Sequence, residues 1–252
     1  MRVFKQGYTG DLTLPLMAVR NAYASATFSS GSGKAVAARS PQTYSFWQPE
    51  SLPEELEAGG VAQINYIACY VREGNGATIQ PEYLDGSVWI PFGPAVQPDE
   101  AGSFLWLDDA IDVDAIRLSV SDGAPKVANF KAGLADGIPV GLPVGYEPAK
   151  LNPQDQYTNI VSQRGQILGS NLERTGSRES LQFRDVDQSY RDTWLAIREA
   201  LRTEAVYFAW NGEDFPAELV YAMVSGTPGV SYSQGLYLNI SVDLEGPDAG
   251  LR

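Results

Sequence analysis

The sequence contains no histidine. That removes the usual general base near neutral pH, the usual partner of a hydroxyl or thiol nucleophile, and the commonest metal ligand. It has one cysteine, Cys69, so no internal disulfide can form and finger-type zinc sites are excluded. Cys69 lies in the apolar run Ile64-Asn65-Tyr66-Ile67-Ala68-Cys69-Tyr70-Val71, which reads as a core strand rather than a reactive site. No apolar run reaches the length of about 18 residues that a membrane span needs, so no membrane insertion is expected. The first residues show no charged segment followed by a long apolar stretch and a cleavage site. The expectation is a chain made and folded in a cytoplasm. Nucleotide-binding glycine loops and a nucleophile elbow are absent too. Gly31-Ser32-Gly33-Lys34 lacks the first glycine of a phosphate loop and reads as a plain loop.

Positive charge is scarce where it matters. The net charge is −13, and from Glu50 to Asp114 there are 13 acidic side chains against one basic one, Arg72. Such a surface repels phosphate, so nucleic-acid binding is not expected. A solvated acidic face is the plain reading; a cation site or a docking face for a basic partner is the sharper one.

What is present points to β structure. The chain has 252 residues with 25 Gly, 16 Pro and 11% aromatics, a mix suited to many strands and tight turns. The fold class expected is mainly β, with an N-terminal jelly-roll-like β-sandwich over residues 1–150. A C-terminal β-sandwich or split barrel with one flanking helix follows over 151–252. The boundary is drawn from Gly137 to Pro148, where three prolines and three glycines fall within twelve residues. In the first region Ser87–Ile90 follows a turn at Asp85-Gly86. Phe104–Leu107 reads as a strand buried on both faces, and Arg117–Ser121 ends in a turn at Asp122-Gly123. In the second, Gln163–Ser170 and Glu179–Arg184 read as hairpin arms around a turn at Thr175-Gly176-Ser177. One helix is predicted from Gln188 to Arg202: Tyr190, Trp194, Ile197 and Leu201 fall on one stripe, with Asp187 as its cap. Strands are expected at Val206–Trp210 and Glu218–Val224. Another is expected at Gly235–Leu244, where Leu236, Leu238, Ile240, Val242 and Leu244 share one face.

Two constellations are candidates for binding. Asp108, Asp112 and Asp114 alternate along an extended chain, and hard oxygen ligands at that spacing suit calcium. Trp47, Trp89 and Trp106 are candidates for a sugar-stacking platform, against the commoner role of tryptophan as core. Paired carboxylates can hydrolyse glycosides, but an acidic chain always offers such pairs, so no enzyme and no cofactor is expected.

The C-terminal third resembles a family of tailed-bacteriophage tail and distal tail structural proteins. The carrying residues are Gln163–Gly169, Arg174-Thr175-Gly176, Phe183, Ala200-Leu201-Arg202-Thr203, Phe208-Ala209-Trp210 and Leu238–Gly246. The resemblance implies a tail-tube-like sheet with one flanking helix. It implies copies assembled in a ring around the DNA channel, with tube, hub and tape-measure proteins as partners. DNA would pass without specific binding, and the place would be the virion, assembled in a bacterial host. The N-terminal region looks somewhat like a galactose-binding-type jelly roll, which implies a carbohydrate-binding host-recognition module of the tail tip as the alternative.

Overall fold

The computed structural model describes residues 2–31, 34–144, 146–148, 154–161, 163, 166–233 and 236–247; for 154–161, 167 and 169–175 it describes the backbone alone. The fold is mainly β, as the sequence implies. Strands β1 (Arg2–Lys5), β2 (Leu16–Asn21) and β3 (Phe28–Ser30) precede β4 (Glu54–Glu73), β5 (Thr78–Asp85) and β6 (Val88–Pro91). Next come β7 (Gly102–Asp122), β8 (Lys126–Gly137), β9 (Gln154–Val161) and β10 (Ile167–Asp187). The helix α1 (Arg191–Ala200) leads to β11 (Val206–Ala209), β12 (Val220–Val224), β13 (Gly229–Ser233) and β14 (Tyr237–Pro247). Hydrogen bonding runs without a break in the order β6-β5-β7-β4-β8-β2-β11-β12-β14-β10-β9. Pairing is antiparallel throughout, save β1, which lies parallel to β7. No helix among the described residues is long and apolar enough to cross a membrane.

Alternation along β4 builds two cores at once. Ile67, Cys69 and Val71 enter a first core with Trp47, Trp106 and Phe130. Tyr66, Ala68 and Tyr70 enter another with Leu105, Tyr207 and Tyr221. A strand buried on both faces has no polar alternation, and the apolar run at 64–71 follows from that. The sheet curls around the tyrosine-rich core: Tyr70 of β4 stacks on Tyr221 of β12 with ring centroids 4.7 Å apart, although β8, β2 and β11 separate those strands in the sheet. Lys131 of β8 is fully buried here. Its ammonium donates to the carbonyls of Val19 and Ala205, and burial lowers it to about 7.

The remaining core belongs to the C-terminal part. Trp194, Ile197 and Leu201 pack on Leu181, Phe183, Leu238, Ile240, Val242 and Leu244. The predicted helix is present, entered through a 3-10 turn at Gln188–Tyr190, and the Asp187 carboxylate accepts from the Ser189 N–H at 2.8 Å. Met17, Val19 and Ile138 also enter this core, and β2 pairs with both β8 and β11. The N-terminal segment therefore feeds the C-terminal packing across the expected boundary. Of the proline-rich segment, Val140, Leu142 and Tyr146 lie as a strap on the same core.

Three expectations change. No turn interrupts Thr175-Gly176-Ser177: β10 runs straight through, with Gly176 opposite Gln154 on one side and Pro247 on the other. Phe104–Leu107 and Arg117–Ser121 are two ends of one strand, β7, whose register with β4 shifts twice, with an extra residue on β4 between Gly59 and Ala62 and extra residues on β7 between Leu107 and Ile111. Leu236, expected on the buried face of the last strand, precedes it and is exposed.

Candidate functional site

A groove of about 690 Å³ opens at the end of β4. That volume suits a small ligand. Strand alternation aims its residues: Cys69 and Val71 point into the first core, so Tyr70 and Arg72 turn the opposite way, to the groove. Tyr70 is buried and forms part of the lining; Arg72 is exposed. The chain then turns through Gly74-Asn75-Gly76. Asn75 and Gly76 adopt φ of 52° and 72°, and Asn75 Nδ2 donates to the Ala124 carbonyl at 2.9 Å. A Cβ on Gly74 would stand 1.6 Å from the Pro98 carbonyl oxygen, so only glycine lets the turn meet the loop that carries Asp99 and Glu100.

Tyr44, from the loop before β4, supplies the exposed aromatic ring, at 72% exposure. Behind it, Phe46 has the Arg72 guanidinium 5.9 Å and the Lys126 ammonium 5.2 Å from its ring centroid. Lys126 also pairs with Glu73 at 2.6 Å. Asp99 and Glu100 are exposed and enter no ion pair among the described residues. Pro247, the last residue of β14, closes one side. The groove thus offers a flat ring, a fork of guanidinium donors and free carboxylate acceptors.

The sequence-predicted residues lie elsewhere. Trp47 and Trp106 are fully buried, their indole N–H groups donating to Ser30 Oγ and the Pro94 carbonyl, each at 3.0 Å. A buried ring has no face for a sugar, so neither is a stacking residue. Trp89 is half-buried, with the Arg117 guanidinium 4.2 Å from its ring centroid and Glu82 bonded to that arginine at 2.5 Å. The three tryptophans form no common platform. The carboxylates are likewise dispersed. Asp108 accepts from the Asp109 N–H and Asp114 from the Gly86 N–H, while Asp112 is exposed. Among the described residues no cluster of three acidic, cysteine or histidine side chains can hold a metal.

The groove residues were missed because they come from four distant segments. The one signal was Arg72, a lone cation in an acidic stretch, placed just before a turn.

No family model matches the chain, and no curated protein matches it. Among solved structures it is similar to the family 32 carbohydrate-binding module of NanJ from Clostridium perfringens in complex with galactose. There the identity is 13%, with 49% of this chain and 100% of that one covered and a TM-score of 0.38. It is similar to a module of the same type, CpGH89CBM32-5 from C. perfringens, in complex with GalNAc-β-1,3-galactose (14% identity, 43% and 94% covered, TM-score 0.38). It is also similar to chitosan-binding module 2 of the Paenibacillus sp. IK-5 chitosanase/glucanase in complex with chitotriose (10% identity, 49% and 99% covered, TM-score 0.36). What the groove can bind follows from its own residues.

Proposed function

We propose that this chain is a binding protein rather than an enzyme, and that the groove beside Tyr44 takes a saccharide. The observation that carries the reading is an exposed tyrosine ring at a concave site that also presents Arg72, Asp99 and Glu100. A pyranose has an apolar face and a polar rim. The ring covers the face, the guanidinium donates to ring or hydroxyl oxygens, and the carboxylates accept from hydroxyls. No catalytic step is part of the proposal. On this reading the chain is a host-recognition module of a phage tail tip, its partner a surface glycan. The test is a glycan array probed with the full chain, its Tyr44→Ala variant and its Trp89→Ala variant. Signal lost in the first variant and kept in the second supports the reading; an array blank for the wild-type chain sinks it.

A second reading is a structural subunit of a phage distal tail or baseplate ring around the DNA channel. In its favour, β10 to β14 form a sheet flanked by α1, the arrangement that the resemblance implies. Particles labelled with antibody to this chain and imaged by electron microscopy test it. Label at the distal end of the tail supports it, and unlabelled virions reject it.

A further inference from the structure

β13 is an edge strand. It pairs antiparallel with β14, Gly229 opposite Ser241 through Ser233 opposite Tyr237. Among the described residues no strand lies on its other side. An open edge is a row of unpaired N–H and C=O groups, and folded proteins guard such edges with charge, proline or bulges. The sequence of β13, Gly-Val-Ser-Tyr-Ser, has no charge and no proline, and its register with β14 is unbroken. The neutrality extends further: no charged side chain occurs from Leu219 to Val242, in a chain of net charge −13.

The edge is also apolar on one face. Val230 stands opposite Ile240 and Tyr232 opposite Leu238, so all four project from the same side of the sheet. Ile240 and Leu238 are buried in the helix-covered core, while Val230 and Tyr232 are 41% and 60% exposed. The apolar face runs past the protein that covers it.

We propose that β13 pairs antiparallel with β13 of a second copy, across a two-fold axis at Ser231. Two copies of net charge −13 repel wherever their charged surfaces meet, so self-contact belongs on the neutral edge. The strand is self-complementary in this register. Val230 of each copy faces Tyr232 of the other, a β-branched and aromatic cross-strand pair, and this occurs twice. An isologous contact satisfies both edges and leaves none open, so the product is a dimer, not a filament. The contact is short, so association falls in the micromolar range. The inference rests on neither reading of function.

Sedimentation velocity of the full chain across the micromolar range tests it. The expected result is a monomer–dimer equilibrium, weakened more than tenfold by Tyr232→Lys and by Val230→Lys. Val61→Lys, at an exposed valine on β4, leaves it unchanged. Hydrogen exchange on the wild-type chain gives a readout that needs no variant: protection of amides 229–233 rises with protein concentration. A chain monomeric throughout, a ring larger than a dimer, or a dimer without concentration-dependent protection of those amides overturns the proposal.

Discussion

The two ends of the sheet use their faces differently. Where β4, β7 and β8 lie side by side, around Tyr66–Val71, both faces are buried, one against Trp106 and Phe130, the other against the tyrosines. In β14, and in β10 from Gly176 onward, one face packs on α1 and the other meets solvent, while β13 extends past that cover. The difference separates two tasks. A strand held on both sides can fix Tyr70 and Arg72 at its end, which suits a groove that must keep its shape. A sheet covered on one side keeps an edge free for another chain.

Replacing one buried indole in each region breaks the comparison most strongly. Trp106→Ala removes a ring stacked 5.7 Å from Phe4 and leaves the Pro94 carbonyl without its donor, and it is expected to cost about 4 kcal/mol. Trp194→Ala, whose indole N–H has no partner among the described residues, is expected to cost about 3 kcal/mol. Urea unfolding of both variants checks the order, and a larger loss at Trp194 reverses it.

The join between the regions has its own signature. Lys131 is lowered to about 7, chiefly by burial and against the pull of Glu204, from an ordinary value of 10.5. Between these values the unfolded chain binds more protons than the folded one, so the lysine makes stability rise with pH. The gain from pH 7 to about 9.5 is on the order of 2–3 kcal/mol. Above about pH 10 the sign turns, because the buried phenols of Tyr66, Tyr207 and Tyr221 are held above their ordinary value and that stability is lost once the unfolded tyrosines ionise. Lys131→Met is expected to remove the rise below pH 9.5. Unfolding free energies at several pH values measure it, and an equal slope in wild type and variant counts against the buried ammonium. The smallest effect is at the helix: Asp187→Ala loses the bond to Ser189 and is expected to cost about 1 kcal/mol, read as a shift in denaturation midpoint.

Local patterns were legible and distant assemblies were not. The helix followed from the spacing of Trp194, Ile197 and Leu201, and the last strand from alternation at Leu238, Ile240, Val242 and Leu244. Asp85-Gly86 and Asp122-Gly123 turn where their glycines take φ of 61° and 62°. The turn expected at Thr175–Ser177 failed because Gly176 also fits a strand when pairing on both sides holds it. The acidic stretch Asp108–Asp114 hid the continuity of β7, since its pairing with β4 shifts register there and strict alternation is lost. Tyr44, Arg72 and Glu100 meet only through the fold, and no spacing in the sequence announces them.

The most direct test of the groove is a calorimetric titration of its strongest array ligand against the wild-type chain and Tyr44→Ala, with thermal melts of both. Tyr44 is largely exposed, so its truncation leaves stability within about 0.5 kcal/mol of wild type. The account predicts affinity lowered at least tenfold with an unchanged melt. Equal affinity in the two proteins contradicts it.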